Sequence, residues 1–221
     1  MNWLLGMSLA FAKPEIVDWP VPFAQERKAL TVAYLKEHSL SHPLSGELEK
    51  DVRMTPRVIV LHWTGGGSAS SAWHTFASPT LHGRKDISSG GALNVGAHFI
   101  VDRKGKIFRI AEENLIMRHC IGLNHISIGI ENVGSAKKEL TPQQVDANIA
   151  LIEDLAKRYP ITHLIGHSEY RSFEGHPYFS EKNPKYRTIK PDPGAQFLEQ
   201  VRAGLSIPIK AAPKGAASDA E

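Results

Sequence analysis

Three residues far apart in the chain could act together: His62, His167 and Asp192. Each stands where a strand-like pattern gives way to a loop. His62 closes the apolar run Val58-Ile59-Val60-Leu61, and His167 closes Ile161-Thr162-His163-Leu164-Ile165-Gly166. Asp192 lies in the turn-forming stretch Lys190-Pro191-Asp192-Pro193-Gly194. Two imidazoles and one carboxylate offer three ligands to a single zinc ion and leave a fourth position for water, the ligand set of a catalytic rather than a structural site. Water held by such an ion loses its proton near neutral pH and becomes a nucleophile. The chemistry within reach is therefore hydrolysis. Spacing alone argues little in a chain with 11 histidines. Context argues more, because the ends of buried strands converge on one edge of a sheet, where sites are commonly built.

Other residues join this constellation. Glu131 ends an apolar strand pattern from Ile126 to Val133, and a carboxylate there is costly unless it is paired or used. Lys190 precedes Asp192 by two, so in extended backbone the ammonium and the carboxylate face the same way. Hydrolysis passes through a tetrahedral oxyanion, and losing one preorganised charge aimed at it typically costs about 3 kcal/mol in the barrier. Trp63 and Thr64 follow His62 directly and are candidate substrate contacts. His98, beside Phe99, is read as either a buried structural residue or a substrate-facing one. Trp63, Trp73, Phe173, Tyr178 and Phe179 could line a saccharide groove; for Trp73 core packing is the better account. His74, His82, His125, His163 and His176 read as bystanders.

The elements that must position these residues form an α/β pattern. A strand is expected over 57–63 and a helix over 70–76. Residues 78–92 read as a surface insertion. A hairpin is expected from 95–101 and 106–110 about Asp102-Arg103-Lys104-Gly105, and a further strand over 126–133. Thr141 with Gln144 is a capping-box pair, and Pro142 suits the first helical position. Val145, Ile149, Ile152 and Ala156 give that helix an apolar face, and Pro160 stops it. Residues 171–189 form a long polar and aromatic loop between two candidate ligands, which puts it near the site as a candidate specificity loop, and Phe197, Val201 and Leu205 mark a closing helix. Interleaved strands and helices imply a central mixed β-sheet flanked by helices, with the zinc site at one edge of the sheet.

Composition bounds the rest. The 221 residues suffice for one sizeable core, and 42% hydrophobic with 22% charged residues is ordinary for a globular protein. A net charge of +3 suits an anionic surface such as a bacterial wall but is too weak to indicate nucleic-acid binding. Cys120 is the only cysteine, which excludes an internal disulfide and a thiolate-rich metal cage; it is expected to be a small buried residue. Residues 1–12 end in Ala10-Phe11-Ala12 and resemble a signal-peptide remnant, though without a basic start. They are too short to span a bilayer, so no stable membrane insertion is expected. On this reading the location is periplasmic or secreted, and cytoplasmic if the segment is not a signal. Residues 13–56 read as an N-terminal extension carrying a helix over 25–38, 57–205 as the catalytic domain, and 206–221 as a disordered tail. A monomer is expected.

Five blocks in order carry a resemblance: Val58-Ile59-Val60-Leu61-His62-Trp63-Thr64, Ala97-His98-Phe99-Ile100-Val101-Asp102, Ser127-Ile128-Gly129-Ile130-Glu131, Ile165-Gly166-His167-Ser168-Glu169-Tyr170 and Lys190-Pro191-Asp192-Pro193-Gly194. Together they resemble the type 2 N-acetylmuramoyl-L-alanine amidases, which share their fold with peptidoglycan recognition proteins. The resemblance spans roughly 57–204. It implies that His62, His167 and Asp192 bind one Zn2+ ion. It also implies that the scissile bond is the amide between N-acetylmuramic acid and L-alanine, in peptidoglycan or muropeptides. It makes Glu131 the general base and puts His119, in a stretch like the family's His-Ala-Gly segment, at the substrate groove. Some relatives carry a catalytic tyrosine where this chain has Ala97, which shifts weight onto Glu131. Several binding-only relatives lose the third ligand; Asp192 keeps it. A non-catalytic peptidoglycan-recognition module is the alternative.

Overall fold

The computed structural model describes residues 13–39 and 52–214. The leader-like segment 1–12 lies outside the described residues. The strands are β1 Ile16–Asp18, β2 Val58–Trp63, β3 Phe99–Val101, β4 Ile107–Arg109, β5 Ser127–Asn132 and β6 His163–Gly166; the helices are α1 Gln25–His38, α2 Ala69–Ala77, α3 Pro142–Arg158 and α4 Ala195–Gly204. One sheet holds all six strands in the order β1-β4-β3-β5-β2-β6. Only the β3–β4 pair is antiparallel, so the sheet is mixed, as expected.

β2 reads as a continuous apolar run because both of its faces are covered. Ile59 and Leu61 join Ile128, Ile130 and Leu164 beneath α3 and α4, while Val58 and Val60 join Ile165 on the opposite face with Tyr34 and Leu35 of α1. Helix α3 starts where expected, with Thr141 and Gln144 each capping the other's backbone N–H. Ile149 and Ile152 are buried as the periodicity implies; Gln144 and Asn148 are buried too. Gln144 Nε2 donates to the Val101 and Val133 carbonyls, and Asn148 Nδ2 donates to Asn132 Oδ1.

Both ends of the chain depart from expectation. Residues 13–39 and 52–56, the described part of the expected extension, do not stand apart. β1 pairs in parallel with β4, Ile16 opposite Ile107, and α1 packs its Tyr34 and Leu35 into the core. A three-residue strand is too short to declare itself by alternation. The tail from 206 is not disordered over its described part. Lys210 donates to the Thr162 carbonyl and accepts from Leu164 N–H, at 3.0 and 2.9 Å. β6 is an edge strand with unpaired backbone groups, and these bind a passing chain whatever its side chains. Residues 215–221 lie outside the described residues.

Candidate metal centre and its cavity

Strand parity puts the chemistry on one face. Val58, Val60 and His62 alternate with the residues beneath α3, as do Ser127, Gly129 and Glu131, and His163, Ile165 and His167. Register then sets the neighbours. His62 lies opposite Glu131 across β2 and β5, and Leu61 lies opposite Gly166, so His62 and His167 leave adjacent parallel strands side by side. Asp192 arrives by a loop, held where its carbonyl accepts from Ser168 N–H at 2.9 Å. That approach needs Gly166: a Cβ there would stand 2.8 Å from Pro193 Cδ.

The three donors converge. His62 Nδ1 lies 3.0 Å from His167 Nδ1 and 3.3 Å from Asp192 Oδ2, and His167 Nδ1 lies 3.1 Å from the same oxygen. Ligand atoms sharing one zinc at about 2.0–2.1 Å in tetrahedral geometry stand roughly 3.3 Å apart, so the triangle fits one ion. Protonation fits as well. Burial, with His62 nearby, pushes the His167 imidazole down to about 4, leaving it neutral. Burial raises the Asp192 carboxyl, but the His167 and His62 side chains set against it outweigh this and hold it well below the ordinary carboxylate range. Neutral nitrogen and ionised oxygen are the states a divalent cation requires.

Glu131 lines the same cavity of about 360 Å³. Its Oε2 is buried and has no hydrogen-bond partner among the described residues. Burial raises its carboxyl to about 7 against the opposing pull of His62. A lone carboxylate oxygen poised near neutrality suits a general base. Trp63, Thr64, His119 and Lys190 also line the cavity. Lys190 Nζ is 3.8 Å from Asp86 Oδ2 at the mouth. Thr64 Oγ1 donates to the Gly66 carbonyl at 2.6 Å.

His98 must be withdrawn from the substrate-binding set. It is fully buried and off the cavity wall, its Nε2 lies 2.8 Å from the Leu115 carbonyl, and its Nδ1 accepts from Gly129 N–H at 2.9 Å. With both nitrogens committed to backbone, it ties β5 to the segment that follows β4. The aromatic groove is also narrower than expected. Trp63 lines the cavity, whereas Phe173 is core and Trp73 stacks on Trp19 at 5.3 Å. Cys120 is buried, as expected, and lies on the wall. None of His74, His82, His125, His163 and His176 lines the cavity.

The sequence reading put the 171–189 loop near the site but missed the other wall. Arg84 and Ile87, inside the presumed surface insertion, line the cavity together with Tyr186, Thr188 and Ile189. Arg118 fastens both sides: it donates to the Ile87, Gly91 and Leu93 carbonyls and to Tyr186 Oη. A buried arginine has no local signature in the sequence. The isolated Ile189 beside Lys190, 93% exposed, was the one available hint.

The profile of the family described as N-acetylmuramoyl-L-alanine amidase matches residues 52–194. Among curated proteins the endolysin of Escherichia phage T7 is 33% identical over 85 residues, and that of Enterobacteria phage K11 is 29% identical over 85 residues; each match covers 36% of this chain. The matched region spans 56% of the length of either relative. Among solved structures, N-acetylmuramoyl-L-alanine amidase LysC from Clostridium intestinale URNW superposes with a TM-score of 0.50 at 22% identity, covering 86% of this chain and 96% of that one. A selenomethionine AmpD derivative gives 0.51 at 20% identity, covering 87% and 95%. These structures share the fold.

Proposed function

Because the chain belongs to the N-acetylmuramoyl-L-alanine amidase family, we propose that it hydrolyses the amide joining N-acetylmuramic acid to L-alanine in peptidoglycan or muropeptides. The observation that carries this reading is the convergence of three ligand atoms within 4.8 Å beside a buried, unpartnered carboxylate oxygen in one cavity. His62, His167 and Asp192 would hold the zinc, which when bound polarises the scissile carbonyl and acidifies the attacking water. Glu131 takes the proton from that water. It later returns the proton to the leaving amine of L-alanine, and a carboxyl near 7 does both at modest cost. Lys190, a cation on the cavity wall, stabilises the oxyanion that forms as the carbonyl is attacked. Trp63 and Thr64 border the saccharide or peptide portion of the substrate. Wall hydrolysis implies a periplasmic or secreted enzyme, and among the described residues no helix is long and apolar enough to cross a membrane.

A recognition module that binds muropeptides without cleaving them is the competing reading. The complete ligand set and Glu131 weigh against it. Incubating the purified protein with muropeptides, with zinc and with chelator, and weighing the products by mass spectrometry separates the two. Release of free stem peptide that stops with chelator is expected; binding without release in the presence of zinc would sink the enzyme reading.

A further inference from the structure

Among the side chains touching the three candidate ligands, His119 is the one that hydrolysis leaves without a task. We propose that His119 is a positioning residue: its Nδ1 accepts the Nε2–H of His62, its Nε2–H is donated to the Ser127 carbonyl, and this relay locks His62 in the tautomer that turns a bare Nδ1 toward the metal. The inference rests on the reading of His62 as a zinc ligand.

The direction of the relay follows from what each atom can do. The Ser127 carbonyl, 3.1 Å from His119 Nε2, can only accept. Ser127 Oγ is also near, at 3.3 Å, but it donates its own proton to the Leu123 carbonyl at 2.7 Å and so accepts as well. The proton of a neutral His119 therefore sits on Nε2, which leaves Nδ1 with a lone pair. His62 Nε2 lies 3.1 Å from that lone pair and must supply the hydrogen. The remaining nitrogen of His62 is then unprotonated, and it is the one facing His167 and Asp192. In the other tautomer of His62, two lone pairs would oppose each other at 3.1 Å and a proton would occupy the metal's position.

The relay has a rigid mount. Asn124 Oδ1 accepts from the backbone N–H groups of both His119 and Cys120, at 2.8 and 2.7 Å. The ring lies flat against the strand at Gly129, where a Cβ would come within 2.8 Å of His119 Cγ. Partners of this kind, orienting a ligating histidine through its second nitrogen, typically change metal affinity by roughly 10–100-fold when removed.

The test has two parts. In 15N-labelled, zinc-loaded protein, long-range proton–nitrogen spectra should show His62 protonated at Nε2 and His119 protonated at Nε2. A His62 found unprotonated at Nε2 overturns the proposal, and this measurement on the unmodified chain needs no variant to fold. Chelator competition then compares zinc affinity. His119→Leu should bind roughly 10–100-fold more weakly. His119→Asn, whose carbonyl can stand where Nδ1 stood, should stay within a few fold of the wild type. Equal affinity of wild type and His119→Leu overturns the relay and leaves the zinc site intact; equal losses in both variants make His119 packing rather than acceptor. A wild type that takes up no zinc at all removes the ligand assignment itself, and the relay with it.

Discussion

The floor of the cavity and its walls are built by different means. The floor is backbone: His62, Glu131 and His167 stand at the ends of three adjacent parallel strands, and ladder register fixes their spacing before any side-chain contact is made. The walls are two segments outside the sheet, around 84–93 and 186–191, bridged to each other by one guanidinium, that of Arg118. A ladder distributes its constraint over many hydrogen bonds, whereas a single anchor concentrates it. Chemistry therefore sits on the part that resists change, and the residues that meet the substrate's periphery, Arg84 and Ile189 among them, sit on the part that one substitution can reset.

The contrast can be broken or sharpened by substitution. On the floor, Asp192→Ala should remove most of the bound zinc by elemental analysis, and with it the rise in melting temperature that zinc gives the wild type; full occupancy would refute the ligand assignment. Glu131→Ala should keep its zinc yet lose roughly 10²–10⁴ in kcat, the usual worth of a general base. A rate near that of the wild type would free Glu131 of that role. On the wall beside Asp192, Lys190→Ala should cost about 10²–10³ in kcat if its charge meets the oxyanion; a change confined to KM would make it a binding residue.

On the walls, Arg118→Leu leaves three carbonyls and the Tyr186 hydroxyl without their donor, and should lower unfolding stability by on the order of 3 kcal/mol. Its kinetic signature should be a raised KM with kcat changed less, because the floor does not depend on it. Equal losses in both would mean that walls and floor are coupled.

The smallest effect is on pH dependence in the metal-free protein. Glu131 titrates near 7 when folded, against an ordinary value of 4.5, because burial disfavours its charge. Its contribution to stability is full below about 4.5 and is lost as pH rises through 7. Glu131→Gln cannot ionise, so the variant should gain on the wild type by on the order of 1–3 kcal/mol between those limits in denaturant titrations. Parallel stability curves would show that the folded carboxyl titrates like an unfolded one.

Much of the floor was legible in the residues. The apolar run ending at His62 and the one ending at His167 declared buried strands, and parallel strands deliver their last residues to a common edge. Thr141, Pro142 and Gln144 marked the start of α3, because capping is a local matter. His98 misled because a histidine beside a strand looks the same whether its nitrogens meet substrate or the Gly129 and Leu115 backbone. β1 and the tail as far as Lys210 were unreadable for another reason: their pairing uses backbone groups that every sequence possesses.

The sequence by itself determined which chemistry the chain could perform, since residue type sets what an imidazole or carboxylate can bind and periodicity sets which face it occupies. Only the tertiary structure decided that His119 backs His62 while His98 stays off the cavity wall, and that Arg84 and Ile87 help to line it. Those encounters join positions far apart in the chain through loops, and loop paths follow from packing and single long-range hydrogen bonds that leave no periodic trace.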